Sequence, residues 1–230
     1  YGQAELRVMA WLARDTYFTH IFNAGDIDVF DDLSPRLYPG VEKDRVDAAT
    51  WKELRIRVKA FVYGLNYGRT EFSIAREFDM PIGEARLMRQ RFFAVIPEIV
   101  EFRSDILRRV HRGEDLVSPF GRHRRFTLIT KENKEEIQKE ALAFLPQSTA
   151  SDICLTAMIA IRHRLRGTGC FIRNIVHDSI LLEGPKEMED FMRHVLQTEM
   201  LKAADSVVHG YVKFTVDVEA GANWGDLYAT

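Results

Sequence analysis

The sequence predicts an α+β fold: a mostly helical body, then a small antiparallel β-sheet. Two observations carry this. From the first residues to about residue 166, apolar positions recur at helical spacing in one segment after another. Beyond that point the short apolar runs "GCFIRNIV" and "SILLEG" flank His177 and Asp178, and "YVKFTVDVEAG" alternates.

The elements follow in order. "YGQAELRVMAWLARD" enters an amphipathic helix at once, with Leu6, Met9, Ala10 and Ala13 on one face and Val8 and Leu12 beside them. There is no initiator Met, so the chain reads as a piece of something longer. "FNAGDIDVFDDLSPRLYPG" reads as loop and short helix, closed by Pro39 and Gly40. "TWKE" reads as a capping box, with Thr50 as the cap and Glu53 reaching back. Leu54, Val58, Phe61, Val62 and Leu65 then give the next helix a buried face. "TEFSIAREF", "PIGEARLMRQRFFAVI" and "PEIVEFRSDILRRVHRG" are three more helices, the last opened by Pro97 and ended at Gly113. "SPFGRHRRF" is a basic turn, and a long helix with Pro146 inside it runs to Arg166. The two short apolar runs make a hairpin with His177 and Asp178 at its tip, a helix covers "EMEDFMRHVLQTEMLKAADSV", and "YVKFTVDVEAG" is a strand.

Composition bounds the function. The 230 residues are 46% hydrophobic and 29% charged, enough for one large domain or two smaller ones. A formal net charge of -2 announces no nucleic acid globally, so any such contact must use local patches. Two cysteines, Cys154 and Cys170, without a CxxC, speak against a disulfide scaffold and a zinc site, and for a reducing compartment. No uninterrupted apolar run reaches membrane-span length, so no membrane partner is expected.

One helix carries an unusual row. In "RIRVKAFVYGLNYG", Arg55, Lys59, Tyr63 and Tyr67 follow one another at intervals of four. At about 100° per residue the row lies roughly opposite the buried face, and it spans about 18 Å. Guanidinium and ammonium suit phosphates, and an aromatic ring suits a base. A solvated face with incidental tyrosines has the same spacing. Gly64 inside the helix marks a place where something else approaches closely. At the hairpin tip, Asp178 is a reasonable Mg²⁺ ligand, since that ion takes one or two carboxylates plus substrate phosphates; an Asp in a turn is also ordinary structure. Arg122, His123, Arg124 and Arg125 in the basic turn suit phosphates.

Taken together, "YGQAELRVMAWLA", "RIRVKAFVYGLNYG" and "VHDSILLE" stand in the order and spacing of three signature motifs, and the chain resembles family A DNA polymerases along essentially its whole length. "LPQSTASD" resembles that family's glutamine-containing segment, "SPFGRHRR" its Gly-Arg-rich turn and "AGANWGDL" its C-terminal close. The resemblance implies template-directed DNA synthesis: a primer 3′-hydroxyl attacks the α-phosphorus of a dNTP, assisted by two Mg²⁺ ions. It assigns Arg55 and Lys59 to the nucleotide phosphates, with Lys59 a proton donor to pyrophosphate, and Tyr63, Tyr67, Glu5 and Gln3 to the nucleotide. Glu5 stands where the family blocks the ribose 2′-position. Asp178 and the Tyr1 carbonyl match metal ligands; Gln147, His177, Tyr67, Gly68, Lys139, Arg122 and Arg124 match positions facing DNA.

The resemblance also implies an architecture: palm over residues 1–13, fingers over 14–125 and the remainder of the palm over 126–230, with thumb and any exonuclease domain upstream. Primer–template DNA, dNTP and that upstream polymerase segment are the expected partners. A cytoplasmic setting, bacterial or phage-infected, is expected, with an organelle as the alternative. The chain departs from the family pattern in places. The family's second metal aspartate would directly precede Tyr1; Ser179 replaces a Glu; Tyr63 replaces a Phe, a phage-like trait; Lys139 and Ala143 replace Arg and Asn. A non-catalytic or split-polymerase accessory subunit is the rival reading. A phosphohydrolase centred on His177 and Asp178 lacks a further ligand cluster.

Overall fold

The computed structural model describes residues 1–228. It is α+β, with nine α-helices and two small antiparallel sheets among the described residues. The chain forms two compact units: Met9–Pro146, and Tyr1–Val8 together with the chain from Gln147 on. The helices α1 (Ala4–Ala13) and α8 (Lys134–Arg164) each give residues to both.

In the first unit, capping carboxylates start three of the helices. Asp15 accepts from the Phe18 amide at 2.8 Å and starts α2 (Thr16–Ala24), which Gly25 ends in the left-handed region at φ 81°. Asp28 accepts from the amides of Phe30 and Asp31 and starts α3 (Val29–Leu37). The helix α4 (Ala48–Asn66) begins three residues earlier than the capping-box reading placed it. Asp47 is the cap, taking the Ala49 and Thr50 amides at 3.0 Å each. Thr50 donates its hydroxyl to Asp47 at 2.6 Å, and Glu53 pairs with Arg57 at 2.9 Å rather than reaching back. Asp47 outcompetes Thr50 because a carboxylate satisfies two helix-end donors at once.

Helices α5 (Glu71–Glu77), α6 (Ile82–Val95) and α7 (Pro97–His111) follow. Phe61 of α4 meets Phe92 of α6 edge-on, with centroids 5.9 Å apart, and both rings are fully buried. A second cluster joins Ile106 and Val110 of α7 to Leu116 and to Ala141, Leu142 and Leu145 of α8. The basic turn is a minimal hairpin, β1 (Leu116–Val117) with β2 (His123–Arg124).

In the second unit, Ile153, Cys154, Ala157 and Ile161 of α8 and Val195, Met200, Ala203, Ala204 and Val208 of α9 (Glu189–Val208) are buried. The predicted hairpin is present as β3 (Phe171–Val176) and β4 (Ser179–Glu183), with Val176 opposite Ser179 and an irregularity between Ile172 and Asn174. The predicted strand at 211–221 is not formed. The segment lacks a ladder: Gly2 donates to the Thr215 carbonyl at 3.0 Å, and Arg193 to that of Val218 at 2.8 Å. Alternation selects a face, whereas a strand needs a neighbour along its whole edge.

By length and composition α8 is the one described helix that could cross a membrane, which the sequence reading did not anticipate. Half of its most apolar stretch is buried within the fold, as in a core helix.

Candidate functional site

The hairpin places Asp178 at the second position of a two-residue turn. The first, His177, has φ 55°, in the left-handed region that glycine usually fills at hairpin turns. Such a conformation costs on the order of 1 kcal/mol or more and concentrates at functional sites. Gln3, at φ 51°, is a second case, and its carbonyl accepts from the Arg7 amide at 3.1 Å to start α1. Ser179 closes the hairpin turn by donating to the Val176 carbonyl at 2.9 Å.

Tyr1, Glu5, His177 and Asp178 come together here. The Tyr1 backbone nitrogen donates to the Asp178 carbonyl at 3.1 Å. The Tyr1 hydroxyl donates to the Met200 carbonyl at 2.7 Å, and its ring stands edge-on to Phe214. Burial, then the charges of Cys154 and Asp178, push the Tyr1 phenol far up. Burial pushes the Glu5 carboxyl up, the Asp178 charge adds to this, and His177 opposes it. A half-buried carboxyl beside a second carboxylate is a place where a cation is favoured. The donor set suits one Mg²⁺ completed by phosphate oxygens. Among the described residues no three Asp, Glu, His or Cys side chains stand close enough to hold a metal ion by themselves. Gln147 is exposed on α8.

From the sequence Arg7 reads as an ordinary helix residue, yet it is 5% exposed. It donates to the Gly2 carbonyl at 2.7 Å, to the Lys213 carbonyl, and to the Thr215 hydroxyl at 3.3 Å. A buried guanidinium thereby ties the first residues to 213–215. A charge at a flanking position of an apolar helix face was its only signal.

The row on α4 is present but does not simply face solvent. It leans on Phe30 of α3, a ring 1% exposed. The Arg55 guanidinium lies 5.5 Å from that ring's centroid, the Lys59 ammonium 6.0 Å, and the Tyr63 ring 6.3 Å. Lys59 is exposed, whereas Tyr63 and Tyr67 are half-buried. Arg55 also grips Asp28 through two hydrogen bonds, at 2.6 and 3.2 Å, and lies 3.3 Å from Asp31. Rotation by 100° per residue fixed a direction on an isolated helix; it carried no knowledge of α3.

The close approach at Gly64 comes from the chain itself. A Cβ there would lie 2.9 Å from Cδ of Arg69, whose guanidinium pairs with Glu77. Gly68 combines φ 81° with α8 packed against it, Lys139 Cγ falling 3.2 Å from a built Cβ. Tyr63, Gly64, Tyr67, Arg69, Thr70 and Lys139 border an open groove of about 480 Å³. At the end of α4, Arg103 donates to the Leu65 carbonyl at 2.7 Å and to that of Asn66. It thus neutralises the negative end of that helix. Burial, with Arg89 nearby, lowers the Arg103 guanidinium to about 10.

The basic turn is less available than its sequence implied. Arg125 holds Asp115 through two bonds of 2.7 and 2.8 Å, His123 lies 3.3 Å from the same carboxylate, and Arg124 pairs with Glu140. The Arg125 hydrogen bonds pull the Asp115 carboxyl down to about 2.

Comparison with known proteins bears on this geometry. The sequence profile of DNA polymerase family A matches residues 1–226. The chain is 27% identical to DNA polymerase theta of Caenorhabditis elegans over 99% of its own length and 13% of that protein's. It is 27% identical to the thermostable DNA polymerase I of Thermus aquaticus, over 97% of this chain and 26% of the relative. Among solved structures it resembles the POL domain of Pol1 from M. smegmatis in complex with DNA primer-template and dNTP, with a TM-score of 0.78 and 27% identity, over 88% of this chain and 36% of that one. The chain therefore spans about a quarter or less of these two curated relatives. They are animal and bacterial proteins, and the phage-like trait read from Tyr63 finds no support in them. The chain belongs to DNA polymerase family A.

Proposed function

We propose that this chain carries the nucleotide-handling helix and a metal-binding carboxylate of a template-directed DNA polymerase. Residues 14–125 act as fingers, and 1–13 with 126–230 as the palm. The observation that carries the reading is the Arg55–Lys59–Tyr63–Tyr67 row, braced from behind by Phe30 and capped by Arg103.

In this reading the planar fork of Arg55 and the point charge of Lys59 hold the dNTP phosphates. Lys59 also holds the proton that the leaving pyrophosphate takes up. The Tyr63 ring packs on the nucleotide, and Tyr67 on the template side, beside Gly68 and Lys139. Glu5 and Gln3 crowd the sugar, and a ribose 2′-hydroxyl collides with Glu5. His177 and Gln147 face the primer end, and Arg122 and Arg124 the DNA backbone. Asp178, with the Tyr1 carbonyl, would hold a divalent ion, which when bound stabilises charge on phosphate oxygens. A pair of ions needs a further carboxylate from the rest of the polymerase.

The test uses the full-length protein that contains this chain. Lys59→Ala should lower the rate of nucleotide transfer sharply while primer–template affinity changes little. Affinity for duplex falling as steeply as the rate would move Lys59 out of the nucleotide site. The lone carboxylate in the hairpin turn favours a second reading, an accessory subunit; retained DNA binding with no transfer in the parent protein would select it.

A further inference from the structure

Arg55 is engaged before any phosphate arrives. Its Nη2 meets Asp28 Oδ2 at 2.6 Å and its Nε meets Oδ1 at 3.2 Å, the two-pronged geometry that a phosphate would also use. Asp28 is itself fixed, because Oδ1 also accepts the Phe30 and Asp31 amides at the start of α3. Asp31 adds a second carboxylate 3.3 Å from Arg55. It is held in turn by the Lys43 ammonium at 2.7 Å and the Trp51 indole N–H at 3.1 Å. Below the pair lies the Phe30 ring. Residues from α3, α4 and the loop between them thus converge on one guanidinium, and two carboxylates balance the charges of Arg55 and Lys43.

We infer that Asp28, backed by Asp31, is a positioning residue that holds Arg55 in a locked pose, and that a polyphosphate must displace these carboxylates to engage the guanidinium. The inference rests on the reading of Arg55 as a phosphate ligand. A fully charged triphosphate competes with two carboxylates, whereas a less charged phosphate competes poorly, so the lock makes Arg55 selective for the whole polyphosphate. Burial tends to raise the Asp28 carboxyl, but the Arg55 bond and the α3 amides outweigh it and hold it low, so the lock is closed at neutral pH. The lock lowers apparent affinity by the fraction of time it is closed.

The test measures binding of inorganic tripolyphosphate and of orthophosphate to the full-length protein by calorimetry, with Trp51 fluorescence as a local reporter. The variants are Asp28→Asn, Arg55→Ala and the double variant. Asparagine keeps the cap of α3, and thermal melts confirm folding. The inference expects Asp28→Asn to bind tripolyphosphate roughly fivefold tighter than the parent, as the loss of a half-exposed ion pair allows. Arg55→Ala should abolish that gain in the double variant, and orthophosphate affinity should rise toward that of tripolyphosphate. Equal or weaker binding by Asp28→Asn, with Arg55→Ala still weakening the parent, would overturn the lock and leave the phosphate role of Arg55 standing. Arg55→Ala without effect in either background would overturn both.

Discussion

Asp15 offers a quantitative test of the fold. It is fully buried between α1 and α2. One carboxylate oxygen caps α2 through the Phe18 amide, while Oδ2, like Oε2 of Glu98, receives no N–H or O–H donor from another group among the described residues, and the two carboxyls are close enough to share a proton. Thr16 donates to the other oxygen of Glu98 at 2.9 Å, which brings the start of α7 to this junction. Burial raises the Asp15 carboxyl, the Phe18 amide opposes this, and the Glu98 charge adds to it, so that it titrates at about 6. The sign follows from proton uptake. A carboxyl raised above its ordinary 3.8 binds more protons folded than unfolded, so stability is greatest below 3.8 and is lost as pH rises toward about 6. A rise of about two pH units corresponds to about 3 kcal/mol. Asp15→Asn keeps the cap and removes the charge. It should therefore gain about 3 kcal/mol at pH 7, little at pH 4, and flatten the profile between. Near 230 residues that gain means a melting point roughly 6–12 °C higher at pH 7. Urea and thermal melts of parent and variant from pH 4 to 8 measure it, with Glu98→Gln as the companion because the two carboxyls share the junction. A loss of stability by Asp15→Asn that is the same at every pH would refute the reasoning.

Other substitutions probe the site. Glu5→Ala should raise ribonucleotide incorporation relative to deoxynucleotide; unchanged discrimination in competition assays would refute the assignment of Glu5 to the sugar. Tyr63→Phe should make the polymerase reject dideoxynucleotides more strongly, because the Tyr63 hydroxyl fills the role of the absent 3′-hydroxyl; equal termination by both forms would sink that idea. Arg103→Ala leaves two carbonyls at the end of α4 without their cationic donor and should cost about 2–3 kcal/mol in urea melts; a loss below about 0.5 kcal/mol would mean that solvent replaces the cap.

Local chemistry made much of this legible. The apolar periods of α4, α6, α7 and α9 and the hairpin around His177 and Asp178 appear where sequence spacing put them, because each is fixed by its own apolar pattern or turn, although α4 is capped by Asp47 rather than Thr50. What could not be read is what depends on a distant neighbour. The segment at 211–221 alternates like a strand, yet it meets only scattered donors, Gly2 and Arg193 among them, and forms no ladder. Arg55 was visible as a cation at the right spacing, but its partner Asp28 lies 27 residues away on another helix. Asp28 was visible only as a residue before an apolar pair, and Arg103 gave no local sign that it would close α4. Gly64 was correctly read as a point of close approach, but the approaching group is Arg69 of the same chain.

The most direct test of the polymerase reading is primer extension by the full-length protein with Mg²⁺ and all four deoxynucleotides, comparing the parent with Asp178→Asn. The substitution removes the carboxylate charge at the hairpin tip while preserving its size. Template-directed extension by the parent should fall on the order of a hundredfold or more, with primer–template binding retained. Extension by Asp178→Asn at the parent rate would contradict the account, because the hairpin carboxylate would then have no part in the chemistry.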